Sequence, residues 1–196
     1  MRRKNTTPAM TCDYLVQALL ILLQDHDFEQ ITISQITAKA GVNRSTYYRH
    51  FSSKLQLAQY YYAELLAKQH QLFSANGPLT YQTYLELLFN EFKQRQNNIL
   101  ILHHAGLSIQ LLPVLKQSMQ HFKNVDRWQA AYHIGGIYNG LLTWFDEGMQ
   151  TNPQQLAAKV NNFMPAEMRL LFNNLNFGKE PNSSAAKFSK PIQAEP

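Results

Sequence analysis

Apolar residues recur at intervals of three and four along almost the whole chain, and alternating stretches are scarce. That spacing returns once per helical turn, so the apolar surface is buried by packing helix on helix, and the fold class is all-α. The chain is 45% hydrophobic, enough for a real core. Its 16% charged content is below the ~25% of typical soluble domains, which suits a chain that buries extra surface in a partner. The most apolar run, "YLVQALLILL", is too short to span a bilayer and is broken by Gln17. A single cysteine, Cys12, excludes an internal disulfide and fits a reducing compartment. The expectation is a cytoplasmic protein with no membrane partner.

Local signals divide the chain. Residues 1–7 read as a flexible basic arm. Thr7 and Pro8 open a first helix whose buried face carries Leu15, Ala18, Leu19 and Leu22. "TISQ" (32–35) is a capping box, with Thr32 as cap and Gln35 reaching back. Gly41 supplies the positive φ that ends that helix. Asn43 caps the next, which ends near Phe51. "SKLQ" (53–56) is a second capping box and opens a long helix that "NGP" (76–78) stops. Further helices are predicted at 80–95, 98–105, 108–123, 125–148, 153–163 and 165–175. The domain plan is a three-helix head over 1–56, a helical effector and dimerisation domain over 57–177, and a disordered tail over 178–196.

The stretch "GVNRSTYYRHFSSK" (41–54) carries aromatics and fixed positive charge without an acid. No Asp or Glu occurs between Glu29 and Glu64, while Lys39, Arg44, Arg49 and Lys54 lie in that window. Formal net charge is +5. Unneutralised charge of this kind suits a polyanion, the alternative being a solvated basic face. Two short helices joined by a Gly-containing turn make a helix-turn-helix. Ile33, Ile36, Ala40, Val42 and Tyr47 can face inward. Asn43, Arg44, Ser45, Thr46 and Tyr48 can face outward, and Arg49 adds charge on the same helix.

"ITISQITAKAGVNRSTYYRHFSSKLQL" resembles the DNA-binding segment of the TetR family of bacterial transcriptional regulators. The resemblance rests on the threonine opening the second helix, on "AGV", on the "TYYRHF" core and on the lysine three residues after the phenylalanine. It implies that Thr32, Tyr48, His50 and Lys54 hold the DNA backbone. It also implies that bases are read from Arg44, Ser45 and Thr46. Two positions depart from the family pattern. Thr37 stands where alanine is usual, and His26-Asp27 replaces a frequent glycine. Double-stranded operator DNA is the implied partner, with repression the more common outcome.

The helix expected at 125–148 is apolar on two sides. One stripe carries Trp128, Gly135, Tyr138, Leu142 and Phe145. The neighbouring stripe carries Ile134, Ile137, Leu141 and Trp144. So wide an apolar face asks for cover from outside the domain. Gly135, Gly136 and Gly140 leave room for another helix, and Leu156, Val160 and Phe163 follow on the next one. Trp128, Gly135, Tyr138, Leu142, Phe145, Leu156, Val160 and Phe163 are assigned to a homodimer interface. "HIGGIYNGLLTWFDEGMQTNPQQLA" is similar to the C-terminal region of a TetR subgroup that includes activators of dihydroxyacetone utilisation.

Tyr84, Leu88, Phe92, His103 and Tyr132 are the candidates for an effector pocket, suited to a small apolar or aromatic molecule. Adjacent His103 and His104 point ~100° apart on a helix and do not share a metal ion. No phosphate loop, Gly-rich dinucleotide turn or "GxSxG" is present, so neither enzyme activity nor a cofactor is expected. The alternative function is a TetR-like adaptor controlled by a protein partner.

Overall fold

The computed structural model describes residues 7–76, 79–119, 125–166 and 169–170. Among these residues the regular structure is helical, without a strand. The order is α1 (Pro8–Leu22), a 3-10 turn (Phe28–Gln30), α2 (Ile33–Ala40), α3 (Arg44–His50), α4 (Leu55–Asn76), α5 (Tyr81–Gln94), α6 (Gln96–His104), a second 3-10 turn (Leu107–Gln110), α7 (Leu111–Met119), α8 (Arg127–Asp146) and α9 (Pro153–Phe163). The arm at residues 1–6 and the tail from 171 lie outside the described residues, as does most of the helix expected at 165–175.

α1 starts where its sequence dictates. Thr7 Oγ1 accepts from the Met10 N–H at 3.3 Å, and Pro8 occupies the first turn, where its missing N–H costs nothing. Leu15, Val16, Leu19 and Leu20 are buried against α2, α4 and α6. α4 is the element shared by head and body. It packs on α1 at one end and on α5 and α7 further along. The expected division at 56/57 falls in its first turn. One apolar cluster runs without a break from Leu19, Ile36, Tyr47 and Phe51 through Leu57 and Tyr62 into the body.

Two expectations about elements need correction. The helix expected from 108 to 123 begins as the 3-10 turn Leu107–Gln110 and becomes α7 only at Leu111. Gly106, at φ 72, turns the chain sharply out of α6. Pro113 then sits in the first turn of α7, the place in a helix that accepts it. The second capping box is shifted. Gln56 Oε1 accepts from the Ser52 N–H at 2.7 Å, one residue further back than "SKLQ" implies.

α8 is capped by Asp126, whose carboxylate accepts from Trp128 and Gln129 N–H groups while Gln129 reaches back. Its inner stripe is Ile134, Ile137, Leu141 and Trp144, all buried. Trp144 meets Phe89 edge-on at 5.8 Å, and its indole N–H donates to the Thr151 carbonyl at 2.9 Å. Phe145 belongs with this inner set, which corrects its assignment to the homodimer interface. It is fully buried and stacks on Phe92 at 5.8 Å. One residue is ~100° of turn, so Phe145 lies beside Trp144 rather than opposite it.

Candidate nucleic-acid interface

α1, α2 and α3 form the head. The capping box at the start of α2 closes in both directions. The Gln35 N–H donates to Thr32 Oγ1 at 3.2 Å, and the Thr32 N–H donates to Gln35 Oε1 at 2.8 Å. Gly41, at φ 71, ends α2 and turns the chain. The Val42 N–H then returns to the Thr37 carbonyl at 3.0 Å. Thr37 is buried, yet its hydroxyl donates to the Ser34 carbonyl at 3.1 Å. The extra oxygen is satisfied within its own helix and leaves no orphan at the crossing.

α3 divides cleanly. Arg44, Ser45, Tyr48 and Arg49 are exposed and Thr46 is half-buried. At ~100° per residue the exposed four cover an arc of about 140°. The opposite side is an aromatic wedge. Tyr47 and Phe51 are buried, and Phe51 meets Tyr60 of α4 edge-on at 5.7 Å. That contact fixes the angle of α3 against α4. On the exposed side, Arg44 Nη2 donates to Tyr48 Oη at 3.5 Å, so the two side chains stand together one turn apart. Neither ion pair found among the described residues involves Lys39, Arg44 or Arg49. The outward arc is therefore positive and unneutralised.

His50 is half-buried beside Phe51. Burial, helped by the Arg49 charge, lowers its pKa and favours the neutral imidazole. Asn43 has the extended backbone of a cap, and its carbonyl accepts from Thr46 and Tyr47 N–H groups. Its side chain makes no capping bond, which corrects that expectation and leaves the exposed amide on the outer face.

Lys54 has partners within the chain. Its ammonium donates to the carbonyls of Phe28 and Ile31 at 2.7 Å each and of Glu29 at 3.4 Å. It also sits 4.4 Å from the centre of the Phe28 ring. An ammonium has three N–H donors, and the carbonyls of the 3-10 turn and of Ile31, just after it, take all three. Lys54 is a clamp on the loop that carries α2, a set of contacts within the chain that the sequence did not suggest. No local pattern announces this, because the partners lie 23 to 26 residues upstream. The clamp also defines the loop after His26-Asp27, whose geometry the sequence left open.

Residues 15–61 match the family model "Bacterial regulatory proteins, tetR family". This head belongs to the TetR family. The chain is 30% identical over 102 residues to the uncharacterized HTH-type transcriptional regulator YvdT of Bacillus subtilis (strain 168). That match covers 48% of this chain and 52% of YvdT, so the chain spans about half the length of that curated relative. Its architecture resembles the fatty acid degradation regulator FadR from Bacillus halodurans, with a TM-score of 0.51 at 19% identity. The superposition covers 88% of this chain and 98% of FadR and speaks to the fold alone. Among the described residues no single helix is long and apolar enough to cross a membrane.

The residues assigned to the C-terminal half occupy different places. Leu88 and Phe92 are fully buried and Tyr84 nearly so. His103 bridges Ser108 Oγ and Asp146 Oδ1, each at 2.9 Å. Tyr132 is 65% exposed, on the outer side of α8. The five effector candidates are thus not gathered around one opening. Trp128 and Phe163 are exposed, while Tyr138, Leu142, Leu156 and Val160 are half-buried. A groove of about 680 Å³ runs between α8 and α9, with Gly135, Gly136 and Gly140 on one wall and Leu156, Val160 and Phe163 on the other.

Proposed function

We propose that this chain is a DNA-binding transcriptional repressor that acts as a homodimer on a palindromic operator. The observation that carries the reading is the outward arc of α3. Arg44, Ser45, Tyr48 and Arg49 stand exposed and unneutralised on a helix held rigidly by buried Tyr47 and Phe51. In a helix-turn-helix this arc enters the major groove. Arg44 reads a base edge from the first turn, and Tyr48, steadied by Arg44, holds a phosphate. Thr32 presents the start of α2 to the backbone on one side of the groove.

The dimer forms through the outer side of α8 and α9. A Cβ built on Gly135, Gly136 or Gly140 meets nothing within 4 Å. The glycines therefore serve no close contact inside the protomer, although each costs about 1 kcal/mol against alanine in a helix. A second copy that lays a helix on this surface gives them a purpose and covers Trp128 and Phe163. Two heads so joined read half-sites about 34–36 Å apart. A small apolar or aromatic effector acting on the C-terminal helices would release DNA by favouring another spacing. A cytoplasmic location goes with this function.

The test is selection of duplex DNA from a random pool with the full chain. A two-fold symmetric consensus supports the proposal. Recovery of unenriched DNA, or of a site without symmetry, refutes it.

A further inference from the structure

A cavity of about 410 Å³ lies where the head meets the body, between α1, α4 and the start of α6. Its volume is within the ~300–1,000 Å³ typical of small-molecule sites. The walls are unusually charged. Asp13 comes from α1 and Glu64 from α4. Lys68, one turn beyond Glu64, and Arg95, at the α5–α6 junction, bring the opposite sign, and Asn98 adds an amide. Charges of both signs thus share one space, yet no ion pair joins either carboxylate to either cation. Arg95 pairs instead with Glu91 of α5. The carboxylates feel each other as well: burial, and then Asp13, raise the Glu64 pKa, and Lys68 only partly offsets them.

Opposite charges that line one cavity without meeting are complementary to a molecule carrying both. We propose that this cavity binds a small zwitterion of the α-amino-acid class. Its ammonium sits between Asp13 and Glu64, and its carboxylate faces Lys68, Arg95 and Asn98. Asp13 belongs to the head, whereas Arg95 and Asn98 belong to the body. A bound zwitterion therefore ties α1 to α6 across α4 and fixes the angle of the head. The second half of the proposal, a change in DNA affinity on binding, rests on the DNA-binding reading above. The first half, binding itself, does not.

The full chain is titrated by calorimetry with glycine, L-glutamine, L-arginine, L-glutamate and taurine, and with propylamine and propionate as half-ligands. At least one zwitterion is expected to bind with a Kd below about 1 mM. Each half-ligand should bind at least about tenfold more weakly than that zwitterion. Glu64→Gln and Lys68→Met should each weaken binding by about tenfold, with helicity by circular dichroism unchanged. Lys68 is exposed, so its variant keeps the test open should Glu64→Gln disturb folding. No binding by any of the five, half-ligands that match the zwitterion, or binding indifferent to both substitutions overturns the site. Binding that leaves DNA affinity unchanged overturns the coupling alone. A chain that binds the zwitterion but no DNA at all removes the functional reading and leaves the site standing.

Discussion

Replacing Lys54 by methionine keeps the aliphatic stem and removes the ammonium. The segment from Phe28 to Ile31 then loses two bonds of 2.7 Å, a weaker one of 3.4 Å and the charge over Phe28. A hydrogen bond to a charged group contributes about 1.5–3 kcal/mol. The low end of that range applies to the two part-buried bonds, and the cation over the ring adds about 0.5 kcal/mol. Water recovers part of the loss at the freed carbonyls, so the net cost is about 2–3 kcal/mol. For a chain of this length that is a fall in Tm of roughly 5–10 °C. Urea melts of the full chain measure the first quantity and calorimetric scans the second. DNA titrations at several salt concentrations, well below the variant's Tm, distinguish clamp from phosphate contact. Each lost phosphate contact flattens the slope of log K against log salt by about 0.9, so losing one from each of two heads flattens it by about 1.8. The clamp account predicts weaker binding with an unchanged slope. Lys54→Met with wild-type stability and a slope reduced by about two, one contact from each of two heads, would refute the reasoning.

Other outcomes follow from the same geometry. Arg44→Ala should relax one symmetric position per half-site in a DNA selection, worth about 1–3 kcal/mol of discrimination; an unchanged consensus assigns Arg44 to phosphate or solvent. At Gly135→Leu and Gly140→Leu the added Cβ meets no atom of the chain within 4 Å, so helicity should persist. Sedimentation should show dimerisation weakened by about 1–3 kcal/mol; two tight dimers would place the interface elsewhere. His133 is buried, and its pKa is lowered from 6.5 to about 4 by burial. The unfolded chain therefore binds this proton first, and stability falls as pH drops through the window from 6.5 towards 4. The loss between pH 7 and 5 is about 2 kcal/mol from this group. His50 acts in the same direction. Urea melts of His133→Gln should show a correspondingly flatter pH profile, and an identical profile would contradict the assignment.

The head was legible because its signals are local. Thr32 and Gln35 are three residues apart and close their box in the fold as the sequence implies. Gly41 takes the positive φ its place requires. The split of α3 into Tyr47 and Phe51 inside, Arg44 and Tyr48 outside, follows from helical spacing. Lys54 was not legible, since its partners are brought to it only by the loop before α2. Phe145 was misplaced for another reason: α8 is apolar around most of its circumference, so periodicity alone does not choose between adjacent stripes. The charged cavity between α1, α4 and α6 joins residues 13, 64, 68, 95 and 98. No window of sequence contains that set, although Glu64 and Lys68, one turn apart on α4, hinted at a polar side to a core helix.

The central claim is that the acid-free surface of the head binds the DNA backbone. The most direct measurement is the affinity of the full chain for a duplex, by fluorescence anisotropy, across a series of salt concentrations. Each phosphate neutralised by the head contributes about −0.9 to the slope of log K against log salt. Exposed Arg44 and Arg49 on each of two heads predict a slope of about −4 if all four meet phosphate, and about −2 if Arg44 is spent on bases. An affinity that does not change with salt, or no binding at the lowest salt, would contradict the account.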